Sequence, residues 1–116
     1  MSKLACSVSL VAFACVAFTS CNTPPKARIP SLTPENAAAL LRNNPKAENW
    51  ITYVRKQNAA CGYQLALPDQ VTQPTSIDLD HIVTCGGRPA PKEFDASVSF
   101  EYDKDAQHWV IRRFAS

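Results

Sequence analysis

The chain is poor in the residues from which most catalytic and nucleotide-binding motifs are built. In 116 residues there are three glycines, two histidines and one methionine. Gly62 stands alone and Gly86-Gly87 reads as a turn, so neither a G-x-G-x-x-G fingerprint nor a P-loop can be assembled. No H-E-x-x-H, G-x-S-x-G or EF-hand pattern occurs either. An excess of charge is also missing, with 12 Lys and Arg against 10 Asp and Glu. Nucleic acid is therefore not an expected partner, because its recognition calls for clustered cations on a basic domain.

What is present begins at the N-terminus. Met1-Ser2-Lys3 supplies a positive start, Leu4 to Phe18 carries no charge, and small residues follow. These are the parts of a secretory signal. The alternative, a transmembrane anchor, asks for an apolar run of roughly 20 residues, longer than this one. The next four residues, Phe18-Thr19-Ser20-Cys21, resemble the lipobox of bacterial lipoproteins, with Phe18 where Leu is usual. The resemblance is confined to residues 1–21. It implies cleavage before Cys21 and attachment of diacylglycerol to the Cys21 thiol. A Cys at a new N-terminus can hold acyl chains at a membrane surface, and two or three chains anchor stably where one is marginal. An ordinary cleaved signal that happens to contain Cys21 is the alternative. By the same resemblance, Asn22 in place of Asp implies the outer membrane if the organism is a diderm.

Asn22 to Ser31 contains Pro24, Pro25 and Pro30, which favour extended backbone and suit a tether. The chain thus divides into a signal (1–20), a lipidated Cys with a Pro-rich tether (21–31) and one small domain (32–116). Cysteine parity agrees with export. Of five cysteines, Cys6 and Cys15 leave with the signal and Cys21 is the lipidation site. Cys61 and Cys85 remain, and in an oxidising compartment an even pair is expected to bond. The alternative, a metal site of Cys61, His81 and Cys85, lacks a fourth ligand and the usual tight spacing. No metal or cofactor is predicted.

The domain reads as two helices followed by strands. Thr33-Pro34-Glu35 and Asn44-Pro45 are both helix starts: a capping side chain, then Pro at the first helical position. Ala47, Trp50, Ile51 and Val54 form a helical apolar stripe. After Gly62 the period falls to two. Tyr63, Leu65 and Leu67 form one alternating set. Ile77, Leu79, His81, Val83 and Cys85 share a face opposite Asp78, Asp80, Ile82 and Thr84. Phe94, Ala96, Val98, Phe100 and Tyr102 mark the clearest strand, half-buried as in an antiparallel sheet. Asp103 to Gln107 is a hairpin loop, and the mixed pattern of His108 to Phe114 predicts a bulge or contact on both faces. The expected fold is α+β, with two N-terminal helices packed on a three- to four-stranded antiparallel sheet. This order is similar to that of small outer-membrane assembly lipoproteins, whose G-M-T start and L-G-x-P motif are absent. The analogy is one of architecture and carries no function.

Candidate chemistry is sparse. Asp-x-Asp-His at 78–81 suggests a metal site, but strand alternation sets the carboxylates and the imidazole on opposite faces. The reading preferred is a partly buried His81 bonded inside the sheet. A Cys–His nucleophile pair would need one of the two cysteines free. No catalytic residue is assigned, and enzyme activity is not expected. His108 has no acidic neighbour and reads as a surface residue. Tyr53 lies off the helical stripe and Tyr102 ends a strand, so these two are candidates for a binding surface, with Arg55, Lys56, Arg112 and Arg113 as a basic patch or as ordinary solvated charge. The expected function is that of a non-enzymatic, membrane-anchored envelope lipoprotein that acts as an interaction or accessory module. Its partners would be the membrane, through the lipid, and an unidentified envelope protein. The alternative is a small ligand-binding domain with a pocket lined by Trp50, Tyr63 and Phe100.

Overall fold

The computed structural model describes residues 28–116. The expected signal, the expected lipidation site Cys21 and the expected tether up to residue 27 lie outside the described residues. Two helices open the domain. α1 spans Pro34–Arg42, and the Thr33 hydroxyl accepts from the Asn36 N–H at 3.1 Å. α2 spans Pro45–Gln57, and Asn44 Oδ1 accepts from the Ala47 N–H at 3.0 Å. Each cap satisfies an orphan donor of its first turn, and Pro has no donor to orphan. Arg55 and Lys56 sit in the last turn of α2, where the helix dipole favours cations.

The strands form two antiparallel sheets of three, where the sequence predicted one sheet of three or four. The first contains β1 (Cys61–Tyr63), β3 (Val83–Cys85) and β4 (Arg88–Pro89), in the order β1-β3-β4. The second contains β2 (Ser76–Leu79), β5 (Ser97–Asp103) and β6 (His108–Ala115), in the order β2-β5-β6. The single strand expected over 77–85 is broken at His81, whose φ is +56°. That left-handed turn reverses the alternation. Ile82, expected beside the aspartates, is 1% exposed, and His81, expected inside, is in solvent. Ile82 then joins the two halves. Its N–H donates to the Ala96 carbonyl at 3.1 Å, and its carbonyl accepts from the Gln64 N–H at 2.7 Å.

Gly86 and Gly87, at φ +62° and +79°, make the two-residue turn between β3 and β4. Positive φ at both central residues is the geometry that matches strand twist in a tight hairpin. Phe94, expected at the start of the clearest strand, lies instead in a short 3₁₀ turn, Lys92–Phe94. The bulge expected in the last strand is present. Ser99 pairs with Arg113 and Phe100 with Ile111, which leaves Arg112 as the extra residue. The bulge puts Trp109, Ile111 and Phe114 opposite Tyr102, Phe100 and Val98, all on one face. One core takes residues from both helices and both sheets, including Leu32, Ile51, Val54, Ile82, Phe100 and Trp109. Cys61 and Cys85 face each other across β1 and β3 and are disulfide-bonded.

Two contacts fix where the chain enters the domain. The Trp109 indole N–H donates to the Pro30 carbonyl at 2.8 Å. The Gln70 amide clamps Leu32, accepting from its N–H at 2.7 Å and donating to its carbonyl at 3.0 Å. Ile29 also packs against the core.

Candidate interaction surface

Helix α2 turns two faces to its surroundings. Ala47, Ile51 and Val54 are buried. Lys46, Asn49, Trp50 and Tyr53 follow one another at helical spacing along the outer side. Trp50 is held in place because its indole N–H donates to the Phe94 carbonyl at 3.2 Å. Tyr53 stacks on it, with ring centroids 5.4 Å apart and planes at 29°. Tyr53 is nevertheless 50% exposed, one of two large apolar side chains so placed among the described residues. The other, Val71, stands in a loop. Beside the aromatic pair, Lys46, Asn49 and Trp50 line a shallow concavity of about 560 Å³ with Phe114, Ala115 and Ser116. A rigid aromatic pair with a polar rim and nearby cations is the composition found at the centre of protein interfaces.

The remaining residues singled out in the sequence are dispersed. Tyr102 is a packing residue: it meets Trp109 edge-on at 5.7 Å, and its backbone N–H donates to the Thr75 carbonyl at 2.9 Å. The Arg55 Nε–H donates to the Cys61 carbonyl at 3.1 Å. Arg112 lies between two carboxylates of its own sheet, Asp78 at 4.0 Å and Glu101 at 3.8 Å. Lys56 and Arg113 are exposed. Trp50, Tyr63 and Phe100 do not line a common pocket. Phe100 is fully buried, and the Tyr63 hydroxyl donates to the Ala47 carbonyl at 2.6 Å. Burial, reinforced by the Glu48 charge, pushes the Tyr63 phenol well above its ordinary range.

His81 is corrected in position and in partner. Its side chain is 79% exposed, and its Nδ1 is hydrogen-bonded to Asp95 Oδ2. The other oxygen of Asp95 accepts from the Ala96 N–H at 2.8 Å, which orients the carboxylate. The hydrogen bond and charge of Asp95, with a smaller contribution from Asp80, raise the His81 pKa above the ordinary histidine value. The ring makes no hydrogen bond to a hydroxyl among the described residues, and most of the imidazole is in solvent. The pair favours the protonated imidazole. Both sulfurs of Cys61 and Cys85 are taken up in the disulfide, so neither serves as a metal ligand or nucleophile.

Sequence reasoning missed Asp95 as the partner of His81, because fourteen residues separate them and Asp80 is the nearer acid. It also missed Gln70 as a clamp, for which no local signal exists at a separation of 38. Comparison of the chain with protein-family models, with curated proteins and with solved structures finds no match.

Proposed function

We propose that the protein is a lipid-anchored interaction module of the cell envelope, without enzymatic activity, that holds a partner protein through the outer face of α2. The observation that carries this reading is Tyr53, half in solvent yet stacked on a Trp50 that is bonded to the Phe94 carbonyl. A domain this small has few aromatic side chains to spare from its core, and Tyr53, held outside it by a core-packed Trp50, is suited to cover a partner's apolar surface. The signal-like N-terminus, Cys21 and the Pro-rich tether support attachment to a membrane. Lys46 and Lys56 flank the pair and favour an acidic rim on the partner.

The test is site-specific photocrosslinking in native membranes, with the reactive residue at position 53 and, as control, at Lys104 in the β5–β6 loop. A discrete adduct from position 53 and none from 104 is the expected result. No adduct from position 53, or equal labelling from both, would overturn the assignment. The intact mass of membrane-extracted protein tests the anchor separately: acyl chains on a fragment starting at Cys21 are expected.

A further inference from the structure

The opposite side of α2 carries a second feature, independent of the aromatic pair. Between α1 and α2 lies a cleft of about 340 Å³. Ala38 and Leu41 of α1, Ile51 of α2 and Leu65 form its apolar lining. Arg42, Arg55 and Glu48 stand at the same cleft. The helical spacing explains the division: positions 48, 51 and 55 face the cleft, while 46, 49, 50 and 53 face the other way. Leu41 and Ile51 are 3% and 4% exposed, so the floor is part of the core.

The charges around the cleft are unbalanced. Arg42 and Arg55 form no ion pair among the described residues. Arg55 is also preset. Its Nε–H is held by the Cys61 carbonyl, and its Nη2 lies over Gly62, where a Cβ would stand at 3.4 Å. The disulfide fixes Cys61, the Cys61 carbonyl holds the guanidinium through Nε, and the Nη groups make no hydrogen bond among the described residues. Two cations against one carboxylate, over an apolar floor, complement a molecule with one negative end and a short hydrocarbon body. Guanidinium groups suit carboxylates through charge-assisted, paired hydrogen bonds. The volume falls at the small end of ligand sites and suits a short hydrocarbon body.

We propose that the α1–α2 cleft binds a small apolar monocarboxylate, with Arg42 and Arg55 on the carboxylate and Leu41, Ile51 and Leu65 on the hydrocarbon. Glu48 weakens the binding, since it is a like charge at the same rim.

The test uses the exported chain with Cys21→Ser, which removes the lipidation site and leaves every described residue unchanged. Octanoate and octanamide are titrated and followed by amide chemical shifts. Octanoate is expected to bind with Kd on the order of 0.1–1 mM, as ligand size allows. It should bind about tenfold more tightly than the amide, with shifts at Ala38, Leu41 and Leu65. Arg42→Gln should remove most of that preference, and Glu48→Gln should tighten octanoate about two- to threefold, an opposite sign that a general loss of fold cannot produce. Equal binding of acid and amide, tighter binding of octylamine, or no shifts at the cleft at about 10 mM octanoate would each overturn the proposal.

Discussion

His81 is the residue where local pattern and tertiary structure part most clearly. A histidine at φ +56° is in left-handed space, which costs an L residue roughly 1–2 kcal/mol. What offsets that cost is the bond to Asp95 and the seating of Ile82 next door. Two outcomes follow. Both variants lack the pair, and His81→Gly should be more stable than His81→Ala by about 1 kcal/mol, because glycine occupies left-handed space freely. In a regular strand the order would be reversed, so chemical denaturation of the two variants discriminates. The second outcome concerns protons. The folded pKa of His81 is raised above the unfolded value of about 6.5, so the protonated ring binds Asp95 more favourably in the folded state. This contribution is complete below about pH 6.5, while the carboxylate is ionised, and is lost as pH rises through the folded pKa. A ring-proton titration should show the His81 midpoint fall in Asp95→Asn. An unchanged midpoint would mean that Asp95 does not hold the proton.

At the scale of elements, β6 shows how a single inserted residue sets a face. Trp109 and Phe114 are five positions apart, an odd spacing that would normally place them on opposite sides of a strand. Arg112, the bulged residue, brings both inward, opposite Tyr102 and Val98. Its side chain is then free to lie outward between Asp78 and Glu101, at long range and half exposed. Ser99, small and set among these long side chains, is 3% exposed. Arg112→Ala should therefore cost no more than about 1 kcal/mol, as for other surface ion pairs. Deletion of Arg112 removes only the extra residue and leaves Trp109, Ile111 and Phe114 in plain alternation on one face, whereas deletion of Val110 moves Trp109 or Ile111 to the wrong face. Loss of a large core side chain costs about 2–5 kcal/mol, so the Val110 deletion should unfold the domain at temperatures where the Arg112 deletion remains native. Thermal melts of the two variants check this directly. The mixed pattern of Trp109, Ile111 and Phe114 made the bulge legible in the sequence. The two helix starts were legible for a similar reason, since Thr33-Pro34 and Asn44-Pro45 are local chemistry. The two-sheet arrangement was not legible. The letters from Ile77 to Cys85 alternate except at Ile82, an apolar residue that the period-two reading left beside the aspartates, and what holds the break is a carboxylate at residue 95 and a backbone carbonyl at residue 96. Tyr53 was identified as exposed because it lies off the apolar stripe. Its stacking on Trp50 depends on Phe94, 44 residues from Trp50, and the α1–α2 cleft depends on how two helices pack. No single-segment pattern holds either.

For the whole molecule, the two sheets differ in what secures them. The second has strands of four, seven and eight residues and carries Val98, Phe100, Trp109 and Phe114 into the core. The first has strands of three, three and two residues, joined by a Gly-Gly turn. Strands this short are marginal without further support. Their support is the Cys61–Cys85 bridge, backed by the Gly86 N–H to Ala60 carbonyl bond at 3.1 Å. The bridge spans a sequence separation of 24. A loop of that length corresponds to about 3.5 kcal/mol in the chain-entropy account, a large part of what a domain of this size has. Reduction should therefore act unevenly. The urea midpoint should fall by an amount matching about 3 kcal/mol. Before global unfolding, amides of residues 61–64 and 83–90 should exchange faster, while those of Ser97–Asp103 keep their protection until the whole domain opens. Arg55, which depends on the Cys61 carbonyl, should lose its fixed position in the same step, so octanoate affinity at the α1–α2 cleft should drop with reduction although the second sheet is intact. Hydrogen exchange of the oxidised and reduced protein separates this from the alternative. A uniform rise in exchange over both sheets would mean that the domain is one cooperative unit in which the disulfide has no local role.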